Sequence, residues 1–435
     1  MLLGRKKRVC VVSLDGVSDD LLEGAFQEGR LSPLAAVWKQ GGVAPLSSSI
    51  PPISSVAWAT YATGVNPGGH GIYGFVDRDP RSMDQYIPTA RDVAAPTLWA
   101  RLGEAGLKPT VINLPLTYPA QPFPGTLVAG FPAPELRHAA HPPELAHTLI
   151  DSGYLVDPDP RLASDPPAFF AEVKKTIACR RRLALRLLKE DWNLFHLHIM
   201  ATDRLNHFFL RARLSGTPYH QDFWSAYEDI AELVGEVVEG LPKGTELVLM
   251  SDHGFSEAEW QVDLNRWLLE KGLLRLEEGG AGPRRVAPDS VAYSLTPGRV
   301  YLMREGRERG GWITPREAPY NLERVREALL EVRTPDGGPA VAEVFWGEEI
   351  YRGPRAALGP DLVAIPTPSV ELRGGWEGKE LAQPAPRQGC HTLEGAFLWI
   401  RDREPKPGNI LDVPPTLWSL LRLPLPGDFE GKVLI

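Results

Sequence analysis

The stretch that decides the fold is RVCVVSLDG, residues 8–16, a short apolar run that ends in Asp15-Gly16. A continuous β-branched run of this length, without polar alternation, is typical of a strand that is buried on both faces of a parallel sheet. The Asp-Gly pair at its end predicts a turn into a loop. The stretch therefore predicts a strand near the middle of an α/β sheet.

Outward from this strand, the chain alternates between strand and helix patterns. Further strands are predicted in KPTVINLP (108–115), NLFHLHIM (193–200), TELVLM (245–250) and GAFLWIRD (395–402). Helices are predicted at 19–29, 96–107, 166–190 and 222–239, the third of them capped by Asp165. This alternation predicts a doubly wound, mostly parallel sheet between helices.

Two regions interrupt the alternation. Residues 119–160 are rich in proline and carry no long period, which predicts loops across one face of the sheet. Residues 260–389 are rich in Gly, Pro and Arg, and we expect them to form a smaller inserted lobe, or cap. The core domain is then predicted to comprise residues 1–259 and 390–435.

Composition excludes several classes of protein. A net charge of −8 over 435 residues argues against a nucleic-acid binder that is held by a basic surface. We find no secretory signal and no apolar segment long enough to span a membrane. The three cysteines are far apart and odd in number, so a disulfide framework is not expected. These features predict a cytoplasmic protein without a membrane partner, and they leave the oligomeric state open.

Carboxylates and imidazoles lie beside four of the predicted strands. In an open α/β sheet the ligand site lies at the carboxyl ends of the strands, so these positions are the first candidates for chemistry. The candidate donors are Asp15, Asp203, His207, Asp252, His253 and His391.

These six side chains are suitable ligands for a pair of metal ions. Asp203 and His207 lie one helical turn apart if their segment is helical, which places both on one face. Asp252 and His253 are consecutive, and a sharp turn after a strand can aim both at one point. Oxygen and nitrogen donors without thiolate suit Zn²⁺, Mn²⁺ or Fe²⁺. Alternation along the chain is expected to turn Cys390 away from the site.

Each motif alone also has a structural interpretation. Asp15 is compatible with a helix cap, Asp203 and His207 with a solvated helical pair, and His253 with a core histidine. The recurrence of such residues beside four strands favours a common site over these separate roles. Two further histidines, His196 and His198, alternate within a strand and are expected to serve packing or to bond the ligands.

The stretch IPPISSVAWATYATG, residues 50–64, supplies two adjacent hydroxyls, Ser54 and Ser55, at the start of a helix-compatible run. A serine at this position can cap the helix, because its hydroxyl accepts a bond from an N–H two or three residues later. It can equally be a nucleophile. The stretch alone does not separate the two roles.

Five motifs, in their order along the chain, resemble the type I phosphodiesterase/nucleotide pyrophosphatase family of the alkaline phosphatase superfamily. They are SLDG (13–16), PPISSVAWATYATG (51–64), TDRLNH (202–207), SDHGF (251–255) and GCH (389–391). The tail DVPPTLWSLLRLPLPGDFEGKVL (412–434) is also similar to the tail of related members. The resemblance covers most of the chain and implies an alkaline phosphatase-like fold.

The resemblance also implies roles for individual residues. One metal ion would be held by Asp15, Asp252, His253 and the oxygen of the nucleophile. The other would be held by a second set of three ligands: Asp203, His207 and His391. The family's nucleophile falls on Ser54, which we expect to cap the helix as well, and Ser55 is the alternative.

The sequence departs from the family pattern at one position. An asparagine that binds the phosphoryl oxygen in the nucleotide pyrophosphatases falls on Phe75, when the sequences are aligned on His70-Gly71. A backbone N–H at the helix start, or another side chain, would then have to supply that hydrogen bond. The Cys/Ser-x-Pro-x-Arg signature of sulfatases is absent after Ser54, which argues against sulfate ester hydrolysis.

The resemblance implies a two-metal hydrolase of small phosphate esters, in the first place a phosphodiesterase or pyrophosphatase with a phosphoserine-type intermediate. Zinc is the first choice of metal, with manganese or iron as alternatives. A phosphomonoesterase, or a phosphotransferase like the cofactor-independent phosphoglycerate mutases, is the alternative activity. A third interpretation is that the protein is not an enzyme but a binding protein with a degraded active site. The expected ligand and nucleophile positions are all filled, which argues against this interpretation.

Overall fold

The structure is a computed structural model that describes residues 7–377 and 379–435. In chain order, the first ten strands are β1 (Val9–Leu14), β2 (Gly41–Ser47), β3 (Asp77–Arg78), β4 (Gln85–Tyr86), β5 (Pro109–Ile112), β6 (Thr126–Val128), β7 (Ala140–His141), β8 (Leu194–Ile199), β9 (Glu246–Met250) and β10 (Gly254–Glu257). They are followed by β11 (Trp260–Asp263), β12 (Ala292–Leu295), β13 (Arg299–Leu302), β14 (Val341–Trp346), β15 (Leu362–Pro366), β16 (Val370–Arg373), β17 (Ala382–Pro384), β18 (Gly389–Thr392), β19 (Ala396–Arg401) and β20 (Gly408–Asn409).

Helices connect most of these strands. They are α1 (Asp19–Gln27), α2 (Ser32–Trp38), α3 (Ser54–Thr63), α4 (Pro67–His70), α5 (Leu98–Glu104), α6 (Glu144–Asp151), α7 (Pro166–Leu187), α8 (Ala201–Phe209), α9 (His220–Glu239), α10 (Leu264–Glu270), α11 (Ala318–Leu330), α12 (Gly347–Ile350) and α13 (Val413–Leu420). The predicted cap of α7 is present, since the Asp165 side chain accepts a bond from the N–H of Ala168.

The central sheet has nine strands in the order β20-β2-β19-β9-β1-β8-β5-β6-β7. Strand β1, the run quoted first, lies in the middle and pairs in parallel with β8 and β9. The pairs β5–β8, β5–β6 and β2–β20 are also parallel, whereas β19 and β7 run antiparallel to their neighbours. The predicted mostly parallel sheet is confirmed.

Helices cover both faces of this sheet, as a doubly wound fold requires. Because successive side chains of a strand point to opposite faces, β1 contributes to two separate cores. Cys10 and Val12 pack with residues of α1, α2, α6, α7 and α9. Val9 and Val11 pack with residues of α3, α5 and α13 on the other face. The strand is fully buried for this reason, which explains its lack of polar alternation.

Two local predictions were incomplete or wrong, and one strand was not predicted. The region 119–160 is not only loop, because it adds the short strands β6 and β7 to one edge of the sheet, followed by α6. The sequence also gave no sign of β2, whose run GGVAPLS carries a proline and two glycines. Ser54 does not cap α3, since Ile53 occupies the cap position and Ser54 is the first helical residue.

A third core consists of buried hydrophobic side chains that, except for Met83, all lie between residues 262 and 372. It packs around an antiparallel sheet in the order β12-β13-β15-β14, with α11 against it, and beside a three-stranded sheet in the order β16-β11-β17. On this basis we propose residues 260–389 as the inserted lobe. Residues 1–6 of the predicted core and residue 378 of the predicted lobe lie outside the described part of the chain.

A buried charge network connects the β3–β4 hairpin to the inserted lobe. Arg78 is 3% exposed and donates from Nε to the hydroxyl of Tyr293 at 2.8 Å. Its Nη2 donates to Glu308 at 2.9 Å, and its guanidinium lies 3.8 Å from the ring centroid of Tyr301. Residues of the hairpin also line a cavity that opens above the edge of the central sheet. The network therefore holds one wall of that cavity in place.

Two expectations from composition are met within residues 7–377 and 379–435. No helix there combines the length and apolarity that crossing a membrane requires. Cys10, Cys179 and Cys390 are all free and buried.

Candidate active site

The carboxyl ends of three adjacent strands, β9, β1 and β8, bring the predicted donors to one edge of the sheet. Asp15 follows β1, Asp252 and His253 follow β9, and α8 begins directly after β8. His391 reaches the same place from β18, which pairs with β10. The fold thus collects into one site all seven residues singled out by the sequence: Asp15, Ser54, Asp203, His207, Asp252, His253 and His391.

A first donor group surrounds the hydroxyl of Ser54. Its Oγ lies 3.2 Å from Oδ1 of Asp15 and 3.1 Å from Nε2 of His253. Nε2 of His253 lies 3.4 Å from Asp15 and 3.5 Å from Oδ2 of Asp252. The N–H of Gly16 donates to Oδ1 of Asp252. The other carboxylate oxygen of Asp252, Oδ2, is buried with no hydrogen-bond partner among the described residues.

A second donor group adjoins the first. Asp203 and His207 face each other on α8, as their spacing predicts, with Oδ1 3.4 Å from Nε2. Nε2 of His391 lies 3.2 Å from the same carboxylate oxygen and 2.9 Å from Nε2 of His207. The ring of His391 stacks on that of His253 with centroids 3.7 Å apart, so the two groups share one cluster.

Backbone carbonyls orient all three imidazoles. Nδ1 of His253, His207 and His391 lies 3.1, 2.9 and 3.1 Å from the carbonyl oxygens of Gly254, Gly389 and Pro52 respectively. A carbonyl oxygen only accepts, so Nδ1 carries the proton in each ring and Nε2 presents its lone pair to the centre. Histidines that bind metals are held in this way. The donor set therefore fits divalent cations.

The charges of the cluster also favour a bound cation. Burial and the nearby Asp15 raise the pKa of Asp252 well above its usual range, and burial lowers the pKa of His391 to about 4. Burial opposes a proton on His253, but Asp252 and Asp15 outweigh it and raise the pKa of His253 to about 10. Buried carboxylates thus demand a counter-charge here, and a cation in the same place would displace the proton.

The two candidate hydroxyls differ in their surroundings. Ser54 Oγ contacts Asp15 and His253, as described above. Ser55 Oγ is equally buried but has no hydrogen-bond partner among the described residues. Of the two, only Ser54 faces the donors.

Several residues around the site escaped the analysis of the sequence. The indole N–H of Trp58, one helical turn after Ser54, donates to Oδ2 of Asp15 at 2.8 Å. Arg204 donates from Nη1 to Asp203 at 3.0 Å. Nη1 of Arg387 lies 3.4 Å from Nε2 of His207. The spacing of Trp58 from Ser54 was a usable signal, whereas Arg387 lies in a loop without a pattern.

Other predicted side chains lie where their chemistry suggests. Nε2 of His198 is 3.3 Å from Asp15, and its Nδ1 is 2.9 Å from the hydroxyl of Ser13, so this histidine contacts a donor from behind. His70 is bonded to Thr60 and to a backbone N–H, as a core histidine. The thiol of Cys390 contacts Ser256 and Val370, away from the donors.

A cavity of about 600 Å³ opens over the cluster. Ser54, Asp203, His207 and His391 form its base, and its walls are mostly apolar. Phe75, where the resemblance would place the family's asparagine, is part of the wall and packs edge-on against Phe131 at 5.8 Å. The site therefore combines a charged base with apolar walls.

Comparison with family models gives a match over residues 9–394 to the type I phosphodiesterase/nucleotide pyrophosphatase model. This protein belongs to that family. The type I phosphodiesterase/nucleotide pyrophosphatase family is the one that the five motifs indicate, and the resemblance is confirmed. The protein is accordingly a hydrolase of phosphoric ester bonds, of the phosphodiesterase/pyrophosphatase type. No curated protein matches the chain.

Solved structures share the fold of this family member. Phosphonoacetate hydrolase from Sinorhizobium meliloti 1021 aligns with a TM-score of 0.66 at 18% identity, covering 97% of this chain and 98% of that chain. Murine ectonucleotide pyrophosphatase/phosphodiesterase 5 aligns with a TM-score of 0.59 at 16% identity, covering 97% and 96%. Its human counterpart aligns with a TM-score of 0.59 at 14% identity, covering 98% and 97%. At these identities the likeness supports the alkaline phosphatase-like fold alone.

Proposed function

We propose that the protein hydrolyses phosphodiester or pyrophosphate bonds of small molecules, with Ser54 as the nucleophile and two divalent cations as cofactors. One observation carries the proposal. Three imidazoles, each with Nδ1 held by a carbonyl, converge with three buried carboxylates beside the Ser54 hydroxyl. Such a cluster has no evident structural use, because it concentrates buried charge that other packing would avoid.

The residues divide into two ligand sets in this proposal. Asp15, Asp252 and His253 hold one cation together with Ser54 Oγ. The second set consists of Asp203, His207 and His391. When bound, divalent cations supply Lewis-acid stabilisation of the serine alkoxide and of the leaving oxygen. We keep Zn²⁺ as the first choice, with Mn²⁺ or Fe²⁺ as alternatives, since no thiolate takes part.

The chain itself positions the nucleophile. Ser54 begins α3, so its Oγ projects from the helix start toward the donors, and the first N–H groups of the helix have no intrahelical partner. Those N–H groups favour an anion at the helix start and replace the missing asparagine. Ser54 Oγ forms the new bond to phosphorus while the bond to the leaving alcohol breaks. Water then hydrolyses the phosphoserine and releases the second product.

The known ligands of the related structures support a small anionic substrate. Phosphonoacetate hydrolase is described in complex with phosphonoformate and with phosphonoacetate. An inactive variant of murine ectonucleotide pyrophosphatase/phosphodiesterase 5 is described in complex with AMP. As part of the same proposal we keep the cytoplasm as the location, because the three thiols are free, as is usual in a reducing compartment.

The contacts of the basic residues in the lobe disfavour the mutase alternative. A mutase would need free arginines to clamp a substrate carboxylate. Arg304 instead pairs with Asp361 at 2.6 Å, and Arg284 pairs with Asp84. Arg299 is buried and donates to two backbone carbonyls. These side chains are already committed to the fold.

The test compares turnover of bis-p-nitrophenyl phosphate and p-nitrophenyl phosphate in Zn²⁺ and in Mn²⁺, with Ser54→Ala and Ser55→Ala as matched variants. We expect preference for the diester, a fall in kcat of at least about a thousandfold in Ser54→Ala, and near wild-type turnover in Ser55→Ala. Metal content is measured on each variant.

Each other outcome rejects a stated part of the proposal. Faster turnover of the monoester would identify a phosphomonoesterase instead. No turnover of either ester by the metal-loaded protein would reject hydrolysis and leave the phosphotransferase. Equal activity of Ser54→Ala and the wild type would reject the nucleophile.

A further inference from the structure

A second cavity, of about 700 Å³, adjoins the one above the donor cluster. The two share three lining residues, Ile87, Phe131 and Pro132, which form the junction between them. The second cavity is also lined by residues 154–161 and by Leu116 and Tyr118, whereas Ser54 and three of the donors line only the first. We take the two adjoining cavities as one groove that begins at the donor cluster, and we call it the long groove.

The outer half of the long groove is lined mainly by apolar side chains. They are Ile87, Leu116, Phe131, Leu136, Leu155 and Val156, with several prolines between them. Ile87 is 58% exposed at the junction, and Val76, at the edge of the inner cavity, is 38% exposed. Large apolar side chains around a concave surface mark a place where an apolar ligand is buried.

The charged side chains along the outer half are paired with one another or with the site. Asp157 accepts from Arg204 at 2.6 Å, and Asp159 accepts from Arg161 at 2.6 Å. Arg204 also binds Asp203 and lies 4.8 Å from the ring centroid of Phe131. Each of these charges has a partner of opposite sign, although Oδ1 of Asp157 is buried without a hydrogen-bond partner among the described residues. The pairing leaves no described cation in the outer half without a carboxylate partner, which favours an apolar substituent there over a second anionic group.

From this arrangement we propose that the long groove binds an extended apolar substituent of the substrate. The substrate is then a phosphodiester in which one ester carries a flexible hydrocarbon chain. That chain lies past Phe131 into the cavity under residues 154–161, while the phosphoryl group sits at Ser54. This inference rests on the proposed function and adds the chemical class of the group that the enzyme selects.

Proline-rich segments give the groove a fixed shape. Pro132, Pro134, Pro158 and Pro160 all line its outer half. Proline restricts the backbone and has no N–H that would need a polar partner in an apolar wall. The region 119–160, which carries no helix or strand period in the sequence, thus supplies much of the wall.

The test measures kcat/KM for methyl, hexyl and dodecyl p-nitrophenyl phosphate, each below its micelle concentration. Each methylene that leaves water contributes about fourfold to transition-state binding. We expect the hexyl diester to exceed the methyl diester by at least about a hundredfold, with a further gain for dodecyl. Thymidine 5′-p-nitrophenyl phosphate serves as the comparison with a polar, aromatic substituent.

Two variants test whether the rise in kcat/KM with chain length comes from binding in the long groove. Leu155→Asn changes a side chain that lines the outer half, so it should lower kcat/KM for the dodecyl diester much more than kcat/KM for the methyl diester. The gain from methyl to dodecyl should fall at least tenfold in Leu155→Asn. Leu425→Asn, at an exposed position outside the groove, is the matched control and should keep the full gain.

Three results would overturn the inference, and they differ from failure of the proposed function. Equal kcat/KM for all chain lengths would show that the groove binds no chain. A thymidine ester that outperforms the dodecyl ester would assign the groove to a nucleoside. An unchanged chain-length gain in Leu155→Asn would place the chain elsewhere. Absence of methyl diester hydrolysis would instead reject the proposed function itself.

Discussion

Replacement of Trp58 by phenylalanine isolates the hydrogen bond that supports Asp15. The indole is fully buried, and its N–H donates to Oδ2 of Asp15 at 2.8 Å. A phenyl ring keeps the edge-on packing against Tyr61 and His198 but has no N–H to donate. The carboxylate of Asp15 would then be held on that side by His198 alone, at 3.3 Å.

The magnitude follows from the charge on the acceptor. A hydrogen bond to an ionised group contributes about 1.5–3 kcal/mol. If Asp15 binds a cation, loss of this bond should weaken metal binding by about 10- to 100-fold, as for other residues that orient metal ligands. Saturating metal should restore most of the turnover, because the ligands and Ser54 are unchanged.

The assay is a metal titration of turnover and of binding, in competition with a chelator. Trp192→Phe is the matched control, because Trp192 is also fully buried and donates its N–H to the carbonyl of Leu188 at 3.0 Å. Both variants lose the same atoms and one hydrogen bond, so their free energies of unfolding should fall similarly. Equal metal affinities in the two variants would refute the argument that Trp58 orients a metal ligand.

Three further predictions concern stability. His70→Asn should make the free energy of unfolding less dependent on pH. Burial lowers the pKa of His70 from 6.5 to about 3, so the unfolded chain binds a proton at a higher pH than the folded protein does. In the wild type, this difference removes about 2 kcal/mol of stability between pH 7 and pH 5. Denaturant unfolding at both pH values checks this, and an unchanged slope in the variant would contradict it. Arg78→Ala should lower the free energy of unfolding by about 3–5 kcal/mol because Glu308 loses a buried partner, whereas Arg275→Ala, which breaks an exposed pair with Asp289, should leave it close to the wild-type value. Removal of metal by a chelator should abolish turnover and destabilise the protein, and metal at a hundred times its Kd should restore about 2.7 kcal/mol; an unfolding curve indifferent to the chelator would contradict the cation sites.

The parts of the fold that were predictable are those with a strong local pattern. The run at β1 is apolar because both faces of the strand are covered, and the alternation with helices follows from that burial. Strand β2 was missed since its glycines and proline are typical of loops, and its pairing with β19 and β20 makes it a strand. Strands β6 and β7 are two or three residues long and depend on the sheet edge in the same way.

The site was predictable for a related reason. A single carboxylate or imidazole at a strand end can have a structural or a functional role. Because a parallel sheet places the ends of its strands together, the recurrence of such residues at several strand ends predicted a common site. The spacing of Asp203 and His207 held because α8 forms as expected. The long groove had no such signal, because the residues that line it come from separate loops without a common period. Zinc as the metal and the cytoplasm as the location stay predictions.

The pairing of β18 with β10 sets the order in which the site can be completed during synthesis. His391 stands 138 residues after His253, and the other ligands all precede it in the chain. At a translation rate of about 5–20 residues per second, the ribosome needs roughly 7–28 s to cover that distance. Five of the six donors therefore leave the ribosome well before the last, and the nascent chain carries an incomplete ligand set for that time. In the proposed two-cation site, loading with both cations would consequently be an event of the finished polypeptide, after the final strand of the site has found its partner.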